Sequence, residues 1–339
     1  MTTSDQCTVV GYGALSAATG ADNNTAVGYL ALAANTTGSD NAAVGKQAMP
    51  VNTTGESNTA VGSTALTVNT TGSFNTVMGR SALGLNTTGN HNVAIGRNAL
   101  AANITSSNNV AVGQSSLTAC LGAYNTGIGD SAGDGITTGT HNVCVGYNSG
   151  SQTNNLTTGA QNVLVGNYTH TSAADSTYQV VLGYNVVGAA DDSFTFGRQA
   201  IDTTCSMGGT TWSAPSDIRL KEDIQDEEVG LDFINELRPV TFQWKKEQDV
   251  PEELVAHGEG SEERVMNGKY NHGFIAQEVK EVIDNHSLKE GFDMWTEDET
   301  DGRQRVGESA LIPMLVKAIQ ELSAEVEQLK QQAHEKCDK

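Results

Sequence analysis

NTAVGYLALAANTTG (Asn24–Gly38) recurs with small changes along the first half of the chain, and its spacing decides the fold. Glycine stands at Gly11, Gly28, Gly45, Gly62, Gly79, Gly96 and Gly113, seventeen residues apart each time. An apolar residue precedes every one (Val10, Val27, Val44, Val61, Met78, Ile95, Val112), and Leu15, Leu32, Met49, Leu66, Leu83, Leu100 or Leu117 follows four later. Asparagine sits four before the glycine from Asn24 to Asn109, and NTTG begins at Asn35, Asn52, Asn69 and Asn86, with NITS at Asn103. The register then loosens. It passes Gly129 and Gly146, takes an insertion before Gly166 and fades past Gly183.

A fixed period near seventeen, with Asn and Gly at constant phase, is the signature of one coil of a β-solenoid. Segments such as NTAVG supply a short strand, and NTTG supplies the turn, read as a φ > 0 and Asx-turn segment. Each coil offers about two sizeable apolar positions, the residue before the glycine and the one four after it, so the core is expected to be thin. Such a roll buries little alone and gains from packing against copies of itself. The competing reading, a disordered Thr/Asn/Ser/Gly tract, is opposed by the strict phasing of Val and Leu.

Outside the repeats, composition narrows the function. The formal net charge is −21, with −5 in residues 1–200 and −16 in the remainder. Neither half carries the basic stripe that nucleic-acid binding needs, and an acidic surface is repelled by anionic lipid. No run of 18 apolar residues occurs, so membrane insertion is not expected. The five cysteines are scattered, without zinc spacing, so neither a metal site nor a cofactor is expected. Near residue 200 the repeat gives way to DDSFTFGRQAIDTTCSMGGTTW (Asp191–Trp212), which alternates like a β connection. Helices are expected at 230–237 and 275–285. A last helix over 312–333 carries Ile312, Leu315, Ile319, Leu322, Val326 and Leu329 at alternating spacings of three and four, a coiled-coil seam.

The repeats resemble the head repeats of trimeric autotransporter adhesins and similar arrays in phage tail fibres. That resemblance implies a left-handed parallel β-roll packed as a trimer. SDIRLKEDI (Ser216–Ile224), HGFIAQEV (His272–Val279) and LVKAIQELSAEVEQLK (Leu315–Lys330) together resemble the S74 peptidase type of intramolecular chaperone. The chain thus divides into a β-roll (1–170), a β stalk (171–215) and an α+β chaperone domain (216–339). The resemblance implies a homotrimeric tail fibre or appendage in a virion, assembled in the host cytoplasm. Its partners would be other tail proteins and a host-surface receptor, glycan or protein. The alternatives are a cellular trimeric surface adhesin and an uncleaved structural virion protein.

By the same resemblance the domain guides trimer folding and then cuts itself free between Pro215 and Ser216. Ser216 would be the nucleophile and Lys221 the base, making at most a single-turnover serine autopeptidase. Ser-Lys pairs are a known way to activate a hydroxyl, provided the lysine is neutral. Arg219 can favour the neutral lysine by its charge, while Asp217 orients Arg219 or the backbone. His272 and Glu278 are supporting residues, read first as structural hydrogen-bonding groups. A separation of five places Ser216 and Lys221 on different faces of a helix or strand. An irregular turn, or a lysine from a neighbouring subunit, must therefore bring them together.

Overall fold

The structure is a computed structural model of the 339-residue chain; it describes residues 6–337 apart from 152–154, 200, 210, 215, 287, 289–293 and 299. It divides into two compact units, Met1–Leu220 and Lys221–Lys339. The first is a β-solenoid of about 11 turns.

Its strands are β1 (Thr8–Val10), β2 (Thr25–Val27), β3 (Ala42–Val44), β4 (Thr59–Val61), β5 (Thr76–Met78) and β6 (Val93–Ile95), then β7 (Val110–Val112), β8 (Thr126–Ile128), β9 (Val143–Val145), β10 (Val163–Val165) and β11 (Val180–Tyr184). Each pairs in parallel with the next, as in Thr25↔Ala42 and Val27↔Val44. The sequence irregularities are absorbed between strands: Val110 pairs with Thr126, a coil of sixteen, and Val143 with Val163, a coil of twenty. Parallel stacking continues past residue 170. β12 (Ser193–Arg198) extends the sheet in parallel, and only β13 (Ile201–Ser206) turns antiparallel. The segment 171–215, expected as a stalk, therefore carries strands of the roll's own sheet.

Coil-to-coil distance explains the glycine column. Gly62 has φ +138°, and a Cβ there would lie 2.7 Å from the carbonyl oxygen of Gly79 in the next coil. A side chain is excluded both by conformation and by the neighbouring backbone. Gly62→Ala is expected to destabilise the roll by about 3 kcal/mol or more, read as a lowered denaturation midpoint. An unchanged midpoint would mean that the coils do not approach this closely.

Two parts of the sequence reading need correction. The strand residue before each glycine is not core. In β2 the pattern puts Ala26 inside and leaves Thr25 and Val27 partly exposed, and Val44 and Met78 are 37% and 48% exposed. The inward position between them is filled by a small side chain in most coils, as by Ala43, Ala60 and Ala94, and by Val77, Cys144, Leu164 and Val181 in others, while Leu32, Leu66 and Leu100 are fully buried. These leucines adopt left-handed φ (52°, 51° and 53°), a strain of about 1 kcal/mol each that burial of about 2 kcal/mol offsets.

NTTG is likewise not the left-handed element; the positive φ comes two residues beyond it, at Asp40 (60°) and Ser57 (54°). Its asparagine is buried, and Asn35 Nδ2 donates to the Gly38 carbonyl at 2.7 Å. Gly38 is needed because a Cβ would meet Asn35 Oδ1 at 2.6 Å. The same asparagines form a ladder: Asn52 Nδ2 donates to Asn35 Oδ1 (2.8 Å), Asn69 to Asn52 (2.9 Å), Asn86 to Asn69 (2.8 Å) and Asn103 to Asn86 (3.0 Å). A second ladder runs from Asn24 upward, where Asn24 Oδ1 accepts the Asn41 backbone N–H at 2.9 Å and Asn41 Oδ1 that of Asn58 at 3.0 Å. Stacked amides of this kind satisfy one another down the axis, as in cross-β ladders. The first ladder stops where Cys120 takes the next rung: Asn103 Oδ1 is buried without a hydrogen-bond partner. From there the column turns apolar, through Cys120, Ile136 and Leu156.

The second unit holds helices α1 (Leu231–Glu236), α2 (Ala276–Asn285) and α3 (Leu311–Cys337) and hairpins of β14 (Val240–Phe242) with β15 (Asn271–Gly273) and β16 (Trp295–Glu297) with β17 (Gln304–Val306). Phe233, Val279, Val282, Ile283, Met294, Leu311 and Met314 make its small core. Helix α1 begins at Gly230, which has no side chain to cap it. Glu321 of α3 does so instead, accepting the Leu231 N–H at 2.7 Å. Helix α3 thus packs one face, through Leu311, Met314 and Ala318, and leaves Ile312, Ile319 and Leu329 60%, 66% and 63% exposed. These lie on the expected coiled-coil seam.

Candidate functional site

Local chemistry shapes the start of SDIRLKEDI. Asp217 Oδ1 accepts the Arg219 backbone N–H at 2.9 Å, and the Leu220 N–H bonds the Asp217 carbonyl at 3.0 Å, closing a single 3₁₀ turn over Ile218–Leu220. Asp217 therefore caps a single short turn. The same carboxylate takes the Arg219 guanidinium in a fork, Nε at 3.0 Å and Nη2 at 2.5 Å. The guanidinium beside it holds the Asp217 carboxyl below its usual range, and the carboxylate raises Arg219 in turn. Arg219 spends its charge on Asp217, two residues away, which leaves less of it to favour a neutral lysine.

Ser216 and Lys221 are both exposed, and the division between the compact units, Leu220 to Lys221, falls between them in sequence. Pro215 lies outside the described residues. Ile218, Leu220 and Ile224, within the same motif, are 72%, 61% and 64% exposed.

The supporting residues of the second motif are separated by role. Glu278 on α2 receives the Arg238 guanidinium in another fork, Nε at 3.0 Å and Nη2 at 2.5 Å, which lowers Glu278 and raises Arg238. This bond ties α2 to the segment leading into β14. His272 on β15 faces Thr241 across the hairpin, is exposed, and lines a shallow hollow with Pro239, Phe274 and Glu308. Arg238 and Glu321 were not singled out from sequence. Their partners lie 40 and 90 residues away; Arg238 sits in no motif, and Glu321, though within Leu315–Lys330, lies off the apolar seam read there. The only available hint was Gly230, a helix start without a capping side chain.

Residues 216–288 match the family model described as chaperone of endosialidase, peptidase S74. No curated protein and no solved structure matches the chain. Among the described residues, no helix is long and apolar enough to cross a membrane.

Proposed function

We propose that this chain, a β-solenoid followed by a segment of the endosialidase-chaperone kind, is a trimeric tail-fibre or appendage protein. Its carboxy-terminal domain drives assembly and then releases itself. The observation that carries the reading is the matched segment 216–288 standing directly behind an eleven-turn roll.

The roll supports the trimer by what it leaves uncovered. Along the outer side of its sheet, the residue before each glycine forms an apolar column through Val44, Met78, Ile128 and Val165, 37–48% exposed. Covering such half-exposed side chains is worth roughly 1 kcal/mol apiece. Ten coils then supply on the order of 10 kcal/mol per chain, enough to hold copies together. The exposed seam of α3 supports the same association at the other end. Light scattering of the full chain is expected to report three copies; Met78→Lys with Ile128→Lys should shift it toward monomer. A monomeric wild-type chain would defeat the trimer.

The release step follows from where the serine sits. Ser216 Oγ attacks the carbonyl carbon of Pro215 while Lys221 Nζ takes its proton. The C–N bond breaks, the proton passes to the Ser216 nitrogen, and water hydrolyses the resulting Pro215 ester. A lysine serves as base only when desolvated or crowded by positive charge. Both residues are exposed in the single chain, so desolvation has to come from assembly. A lysine presented by a neighbouring subunit meets that need and delays cutting until the trimer exists. The released roll would bind a host-surface receptor and join other tail proteins in the virion.

A further inference from the structure

The tips of the turns that precede the strands carry an order of their own. From the coil of β5 onward, the left-handed tip residue reads Phe74, His91, Asn108, then Tyr124, His141, Gln161, then Tyr178. Aromatic, histidine, amide repeats every three coils, a spacing of about 14 Å at about 4.8 Å per coil. Phe74 stacks on His91 (centroids 5.0 Å, 4° between planes) and Tyr124 on His141 (4.8 Å, 15°). Phe74, Tyr124 and Tyr178 are 48%, 54% and 47% exposed.

Backbone conformation makes this choice costly. All seven tips have φ between 56° and 63°, where Asn and Asp are at ease and bulky side chains are not. Earlier coils place Asn23 and Asp40 at the same position with the same left-handed φ (59° and 60°), so the coil itself does not call for a ring. Each tip residue and the one before it, from Ser73 to Tyr178, is free of Asp, Glu, Lys and Arg. An uncharged row of rings and amides thus lies on a chain of net charge −21.

We infer that this row is a binding strip for a neutral, linear glycan lying along the roll. Pyranose rings have an apolar C–H face that packs on aromatic carbon and a rim of hydroxyls that amides and imidazoles hydrogen-bond. A strip without formal charge on an acidic protein selects against anionic chains and does not repel neutral ones. The three-coil repeat presents the same group of ring, imidazole and amide again along the axis, as a polymer with its own repeat requires. The inference rests on the adhesive reading above and adds the receptor class and its site.

The test uses the full-length protein on an array of neutral and sialylated oligosaccharides, followed by titration of the strongest neutral binder. Phe74→Asn, Tyr124→Asn and Tyr178→Asn are combined in one variant, because asparagine suits the left-handed backbone. Binding should fall at least tenfold while the melting temperature holds or rises and the oligomeric state stays as in wild type. Undiminished binding, or a lower melting temperature with binding intact, would reduce the rings to structural rungs and overturn the strip. Absence of any neutral binder on the array would overturn it too. Adsorption to host cells separates the two readings. If the variant still adsorbs like wild type, adhesion stands and the strip falls; if wild type neither adsorbs nor binds the array, both fall.

Discussion

Freshly folded wild-type protein is expected to run on a denaturing gel as two fragments, of 215 and 124 residues. Ser216→Ala should leave the chain whole, because the proposed step then has no attacking hydroxyl. Lys221→Ala should block the cut as well, since the serine proton then has no acceptor, while the trimer still forms. The effect is all or none, corresponding to the loss of several orders of magnitude in rate that follows removal of a nucleophile or its base. Co-folding Ser216→Ala chains with Lys221→Ala chains tests the source of the lysine. Restored cleavage, confined to chains that keep Ser216, would place the base on a neighbour. Unchanged cleavage in Ser216→Ala would mean a host protease does the cutting. An intact wild-type chain would end the release step, and Pro215→Ala would then show whether the proline's restricted backbone is what prevents attack.

Removing the domain from the gene should have the next largest effect. A chain ending before Ser216 is expected to accumulate as insoluble or misregistered roll. From β2 to β7 the coils repeat nearly the same small core, so a strand slipped by one coil there against a neighbouring chain would lose few contacts. Little in those coils alone penalises the slip. Parallel, non-local pairing is also slow, and unpaired sheet edges and apolar faces stay exposed meanwhile. A carboxy-terminal trimer would fix the register before the roll closes, and the exposed seam of α3 would provide surface for it. Soluble trimers in normal yield from the truncated gene would show that no such guide is required.

Periodicity made the roll legible in the sequence, because a residue forced by coil-to-coil distance must recur at every coil. Gly28 and its successors carry that signal without ambiguity. Which side of a three-residue strand faces in was not legible: Ala26 and Val27 alternate, and nothing in the alternation says that the smaller of the two points inward. The buried asparagines were read as turn residues because a lone Asn usually is one. Their constant phase was the available clue to a ladder. The SDIRLKEDI and GFIAQEV motifs marked the matched segment 216–288 correctly, while Arg238 and Glu321 owe their roles to contacts across 40 and 90 residues, which no local pattern records.

The glycine column also acts as a ruler. Each coil touches only the coil before and the coil after it, and the column forces the same approach at every step. Adding seventeen residues extends the roll by about 4.8 Å and leaves its cross-section as it was. The coils of sixteen and twenty residues show that the excess or deficit is taken up in the turns, with strand stacking kept. Duplication or loss of one coil in the gene therefore changes reach without disturbing what precedes or follows. Length in such a solenoid is inherited in discrete steps of one coil.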